Sequence, residues 1–240
     1  MLSKKFNHNL YECNVVLKEI QKNNQRFYQT PDGDFPSVTT VVGFGKQQFF
    51  AEWRKKNPEE SKRVTSRGTK FHGIIENYIR NESIDYDNMF SNFKALFNLI
   101  KPELDNIDNI IAIETPLWSK TLGLAGRTDC IAEYKGKLSI IDFKASTKEK
   151  RKQDIENYFL QATAYALMFQ ERTGKVIDNF AILIACEDGL FQVFEDKPIK
   201  YVKKLKKAII DYRKYHGIHN SEDTTGRSEQ EKQSIMDNDE

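Results

Sequence analysis

Inside an otherwise apolar stretch, GRTDCIAEYKGKLSIIDFKAS at residues 126–146, sit three charged residues: Asp129, Asp142 and Lys144. Two carboxylates and an amine are the equipment for holding a hard divalent cation and acting on a water beside it. Mg²⁺ takes carboxylate oxygens, and a neighbouring lysine can orient that water, help deprotonate it or offset developing charge. The spacing bears on whether they meet. If Lys135-Gly136 is a two-residue turn, Tyr134 faces Lys137, and the same register sets Asp129 against Asp142. Opposed residues on antiparallel strands lie ~4.5–5.5 Å apart on one face. Lys144, two residues beyond Asp142, shares that face. Like charges placed opposite each other destabilise a sheet. Either a cation bridges them, or this is an exposed edge with Asp142–Lys144 and Asp129–Arg127 as surface pairs. Spacing alone leaves both readings open.

The flanking patterns supply elements to position such a site. Residues 24–44 read as a strand, an Asp32-Gly33 turn and a second β-rich segment through Val38-Thr39-Thr40-Val41-Val42. Residues 47–56 read as helix, with a further helix or turn from Pro58. In SRGTKFHGIIENYIRN, Phe71, Ile74, Ile75, Tyr78 and Ile79 form one helical stripe, with His72 and Glu76 along its edge. A helix over 89–104 precedes strands at 110–119, 122–134 and 137–146. IENYFLQATAYALMFQERTG is a helix closed by Gly174. NFAILIAC (179–186) reads as a strand covered on both faces, with LFQVFED as its hairpin partner, and a last helix spans roughly 198–215.

Composition sets the limits. At 240 residues, with 39% apolar and 30% charged side chains, the chain fits one soluble domain. No run approaches the ~20 apolar residues of a membrane span. The first 20 residues resemble neither a secretory signal nor a transit peptide, so a cytoplasmic setting is expected, in a bacterial or phage-infected cell. Cys13, Cys130 and Cys186 form no C-x-x-C pair, which suggests neither a zinc site nor a disulfide framework. No G-x-x-x-x-G-K-[ST] is present, so no nucleotide cofactor or motor is expected. Seven acidic residues and two basic ones follow Gly217, a net −5. The preceding 216 residues hold 35 basic and 28 acidic side chains, a net +7. A basic body suits a polyanion. The stretch 217–240 reads as a disordered acidic tail, available to a protein partner.

G-R-T-D at 126–129 and D-F-K at 142–144 resemble the core of the PD-(D/E)xK nuclease superfamily. With His72 upstream and Gln161 and Tyr165 in LQATAYA downstream, the order resembles its RecB-like branch. TPDGDFPSVTTVV and RGTKFH resemble the single-domain exonucleases of the mitochondrial genome maintenance and phage type. The resemblance runs from about residue 27 to about 170. It implies an α/β, restriction-endonuclease-like core with a central mixed sheet flanked by helices, and Mg²⁺ or Mn²⁺ as cofactor. Asp129, Asp142, Lys144 and Gln161 would be catalytic. His72, Asp129, Asp142 and the Phe143 carbonyl would hold the metal, with Glu114 a further acidic candidate. Ser37, Thr39, Arg67, Ser146, Lys148 and Tyr165 would meet DNA. Singly, His72 also reads as a boundary histidine, Gln161 as a helix-surface residue and Tyr165 as core. Lys148–Lys152 and Lys203–Lys207 are candidate grips. Phe49, Phe50, Trp53 and Trp118 could stack on unpaired bases, though most of them read as core. The absence of a cysteine cluster argues against the iron–sulfur members of that branch. The activity expected is a metal-dependent DNA exonuclease favouring single strands; a structure-specific or restriction-type endonuclease and a non-catalytic DNA-binding module are the alternatives.

Overall fold

A computed structural model describes residues 4–13 and 15–218. The elements in chain order are β1 (Lys18–Lys22), β2 (Gln25–Thr30), β3 (Gly33–Pro36), α1 (Val38–Val42), α2 (Gln47–Lys56), α3 (Pro58–Ile79), α4 (Ser91–Leu104), β4 (Ile107–Ser119), β5 (Leu124–Tyr134), β6 (Lys137–Ser146), α5 (Glu156–Thr173), β7 (Asn179–Cys186), β8 (Phe191–Asp196) and α6 (Val202–Tyr215). The central sheet runs β4-β5-β6-β7-β8. Its pairs are antiparallel except β6–β7, which are parallel. A parallel pair needs a crossover, and α5 supplies it. The fold is therefore α/β with a five-stranded mixed sheet, consistent with a restriction-endonuclease-like core.

The β5–β6 turn closes as its residues dictate. Lys135 and Gly136 both adopt positive φ, 51° and 76°, the pair a type I′ turn requires. Tyr134 accordingly pairs with Lys137, and the ladder continues through Ile131–Ile140 to Cys130–Ile141. Alternation then sorts the side chains. Cys130, Ile141 and Leu183 pack with Phe71, Ile75, Leu96 and Ile100 of α3 and α4. Ile131, Ile140 and Ile182 pack with Phe159, Phe169, Leu205 and Ile209 of α5 and α6. Every residue of β7 is buried, as a strand covered on both faces must be.

Three expectations change. Val38–Val42 is helical although β-branched residues favour strands. Ser37 caps it, its Oγ accepting the Thr40 N–H at 3.1 Å, and Val38 and Val41, three apart, are buried against α5. Met89 lies ahead of α4, which begins at Ser91. A strand not anticipated, β1, pairs with β2 across Asn23-Asn24, both at positive φ; β1–β3 form a separate three-stranded sheet. Most of the expected acidic tail, 219–240, lies outside the described residues. No described helix is long and apolar enough to cross a membrane.

Candidate active site

The ladders on both sides of β5 are broken at one level: the β4–β5 ladder skips one pair and resumes, and the β5–β6 ladder ends. On one side the pairs run Ile113–Cys130 and Thr115–Thr128, passing over Glu114 and Asp129. On the other the last pair is Cys130–Ile141, one residue short of Asp129 and Asp142. The two registers set Glu114, Asp129 and Asp142 in a row across three adjacent strands. Glu114 holds φ +47°, a conformation that costs a non-glycine residue about 1–3 kcal/mol. Asp129 fills the gap towards β6 with its carboxylate, Oδ2 accepting the Phe143 N–H at 2.9 Å. Phe143 thus enters the site through its amide, while its ring packs in the α3–α4 core.

α3 adds the imidazole. His72 Nδ1 stands 3.6 Å from Asp129 Oδ2 and 3.9 Å from Glu114 Oε1, beyond hydrogen-bond range. One ligand atom from each of His72, Glu114 and Asp129 falls within 4.8 Å of the others. Ligands about 2.1 Å from a shared Mg²⁺ stand roughly 3–4 Å from one another, so the spacing and the hard oxygen and nitrogen donors fit such an ion. Burial alone would lower the His72 pKa; Asp129 and Glu114 outweigh it and the pKa rises.

Asp142, expected among the metal ligands, is held differently. It is buried, with Lys144 Nζ 2.7 Å from Oδ1 and 2.6 Å from Oδ2, and the Gln161 amide donating to Oδ1 at 3.1 Å. Oδ2 accepts no hydrogen bond among the described residues and meets only the ion pair. Burial pushes the Asp142 pKa up, to about 6, with Lys144 opposing and Asp129 reinforcing the rise. Burial disfavours the Lys144 ammonium, but Asp142 and Asp129 together raise its pKa.

α5 brings Gln161 and Tyr165 one turn apart to the same face. Tyr165 explains the glycine of G-R-T-D. A Cβ on Gly126 would come within 2.8 Å of the Tyr165 hydroxyl, so the bare backbone there is what lets the ring lie against β5.

Two depressions flank the Asp142–Lys144 pair. One, of about 700 Å³, is lined by His72, Glu114, Asp129, Gln161 and Tyr165, together with Ser37 and Thr39. The other, of about 770 Å³, is lined by Lys144, Ser146, Lys148, Lys150 and the aromatics Phe49, Phe50 and Trp53. Most of those aromatics were expected in the core, yet Phe49 and Phe50 are exposed and no residue of α2 is buried. Trp118 is the buried one, bonded to Asp32 and stacked on Arg172.

The remaining expected contacts divide. Lys148 is exposed at the second depression, and Ser146 is buried, its hydroxyl donating to the Lys148 carbonyl. Ser37 caps α1, and Thr39 accepts from Arg26. Arg67 is buried and engaged by Glu187, Thr147 and the Ala145 carbonyl. Lys203, Lys204, Lys206 and Lys207 line neither depression; Lys204 pairs with Glu156 and Lys207 with Asp211. Sequence reasoning passed over Arg26 in the first depression, and it read Arg127 only as a surface partner of Asp129. Arg127 is exposed there and makes no ion pair among the described residues. It also passed over Tyr158, whose ring faces Lys144 at 5.2 Å. The signal for Tyr158 was its place three residues before Gln161.

A mixed sheet whose strands part around three carboxylates, an imidazole and a lysine defines a restriction-endonuclease-like protein with a candidate divalent-metal site. Residues 46–213 match the family described as the PD-(D/E)XK nuclease superfamily, and the chain belongs to that superfamily. It is 28% identical over 173 residues to the human mitochondrial genome maintenance exonuclease 1, covering 64% of this chain and 50% of that protein. The mouse protein of the same name is 29% identical over 176 residues, with the same coverages. The chain thus spans about half the length of these relatives. Among solved structures, SSO0001 aligns over 77% of this chain and 76% of that one, with a TM-score of 0.38 and 13% identity, too remote a likeness to carry weight.

Proposed function

We propose that this protein is a divalent-metal-dependent deoxyribonuclease acting as an exonuclease, with single-stranded DNA as its favoured substrate, in DNA replication, repair, recombination or degradation. The observation that carries the reading is the row Glu114–Asp129–Asp142, set where the strands part and joined by His72 and Lys144. Strained and under-satisfied groups gathered in a cleft are what a reaction site needs and a structural ion pair does not. The exonuclease part is supported by the likeness to the human and mouse mitochondrial genome maintenance exonuclease 1.

His72, Glu114 and Asp129 would hold the Mg²⁺ or Mn²⁺, with Asp142 and the Phe143 carbonyl as the further ligands proposed. A bound divalent ion supplies Lewis acidity towards a phosphoryl oxygen and a lowered pKa for a nearby water. The protein's own groups do the rest. Lys144 brings positive charge to where negative charge builds on the phosphate. Asp142 fixes that ammonium, and Gln161 fixes Asp142 from α5. Tyr165, Ser37 and Thr39 line the first depression, and Arg127 offers an exposed guanidinium to a backbone phosphate. The single-strand preference is supported by the second depression, where Phe49, Phe50 and Trp53 stand among Lys144, Lys148 and Lys150. Exposed rings beside cations suit unpaired bases, whose faces are hidden in a duplex.

The test is digestion of 5′- and 3′-labelled single strands, a duplex and a closed single-stranded circle, with Mg²⁺, Mn²⁺ or EDTA. Shortening of the linear single strands only, and only with metal, is expected. Cutting of the circle would make the protein an endonuclease, and inertness on every substrate a binding module.

A further inference from the structure

Lys144 ends in a flexible four-carbon stem, and a flexible ammonium is useful at a reacting phosphate only if something holds it. Its carboxylate partner accounts for one side. Asp142 grips Nζ at 2.6 and 2.7 Å, but through a single contact direction that leaves the rest of the ammonium towards the second depression. On the other side stands an aromatic ring. Nζ lies 5.2 Å from the centroid of Tyr158, within the range where a ring's negative face attracts a cation.

Tyr158 is placed for this by the helix that also places Gln161. The two are three residues apart on α5 and therefore share a face. Gln161 donates to Asp142 while Tyr158 faces Lys144, so one helical turn clamps both members of the ion pair. The Tyr158 hydroxyl makes no hydrogen bond among the described residues, so what the site uses is the ring. The ring also packs against the α5 core, and that packing is the competing explanation a test must separate.

We propose that Tyr158 is a positioning residue whose ring face holds the Lys144 ammonium against Asp142. The role in cleavage rests on the nuclease reading above; the placement of the ammonium does not. Two measurements separate them. In the full chain, the Lys144 Cε protons should show an upfield ring-current shift by NMR. Tyr158→Phe should keep that shift and Tyr158→Leu should lose it. In strand digestion with Mn²⁺, Tyr158→Leu should lower kcat about 10–100-fold with KM little changed, the effect of a misplaced reacting group. Tyr158→Phe should cut at close to the wild-type rate. A trifluorophenylalanine at 158 keeps the ring but drains its negative face, and should fall close to Tyr158→Leu. A role in packing alone would leave the fluorinated ring as active as Phe, and that result overturns the proposal. So does an absent ring-current shift in the unmodified protein, or a Phe variant as damaged as Leu. Should the unmodified protein cut nothing, the nuclease reading fails, and the NMR arm still decides where the ammonium sits.

Discussion

Asp142 and Asp196 are both aspartates of the central sheet with lysine partners, and the protein treats them in opposite ways. Asp196, closing β8, receives Lys200 at 2.6 Å, Lys152 at 3.1 Å, the Lys197 N–H at 2.9 Å and the Tyr201 hydroxyl at 2.9 Å. Burial opposes its charge, but those donors prevail and hold its pKa well below the usual carboxylate range. Asp142 has one lysine and one amide, and Asp129 stands in the same row, so its pKa moves up instead. A carboxylate that serves the fold is given more donors than it needs. Asp142, with fewer donors and a second carboxylate beside it, keeps a charge that its surroundings compensate only in part. The same contrast separates the lysines of the 148–152 run: Lys152 is tied to Asp196, while Lys148 and Lys150 face the second depression.

The sharpest way to break this comparison is to neutralise both aspartates. Asp142→Asn should cut metal-dependent strand cleavage on the order of 10²–10⁴-fold while the protein stays folded, as checked by circular dichroism. Lys144→Ala should abolish cleavage similarly. A variant that cleaves at the wild-type rate would return Asp142 to the structural class.

Metal dependence probes the same contrast at the residues beside Asp142. His72→Ala and Glu114→Gln should each raise the Mn²⁺ concentration needed for half-maximal cleavage, by roughly 10–100-fold. Both folds should stay intact, since the His72 separations of 3.6 and 3.9 Å show no hydrogen bond to lose. Isothermal titration with Mn²⁺ gives a readout independent of turnover. An unaltered metal requirement would remove these two from the ligand set.

How much of this could be read from the residues depends on how locally each part is encoded. The Asp129–Asp142 juxtaposition followed from a glycine-containing two-residue turn, which fixes the register from Tyr134–Lys137 to Cys130–Ile141, one step short of the two aspartates. Glu114 was legible only as a candidate, because its alignment with Asp129 depends on a register shift between Asp108 and Ala112. No residue type announces that shift. Val38–Val42 went wrong because its strand propensity yields to the Ser37 cap and to burial of Val38 and Val41. Phe49 and Phe50 read as core because large aromatics are usually covered; that α2 finds no cover is a tertiary fact.

Those uncovered rings give the next prediction, smaller because it concerns grip and not chemistry. Phe49→Ala and Phe50→Ala should each weaken single-strand binding by about 1–3 kcal/mol, the usual worth of one base–aromatic contact. The loss should fall on KM and leave kcat within about twofold. Binding of a fluorescent single strand in EDTA checks it without cleavage. Equal weakening for duplex DNA would show that the rings do not read unpaired bases.

The smallest expected effect falls at the other pole of the comparison. Asp196→Asn should leave cleavage untouched and cost about 1.5–3 kcal/mol at neutral pH, the range for hydrogen bonds to charged groups. The sign of its pH dependence follows from the depressed pKa. A group whose folded pKa lies below its unfolded value of about 3.9 contributes its full stability above that value. The contribution is lost as pH falls further, towards the folded pKa. The difference between wild type and Asp196→Asn in urea unfolding should therefore be constant from pH 7 to about 5 and shrink below about pH 4. A difference that persists undiminished at pH 3 would mean that packing at the β8–α6 corner, and not the charge on Asp196, is what the substitution disturbs.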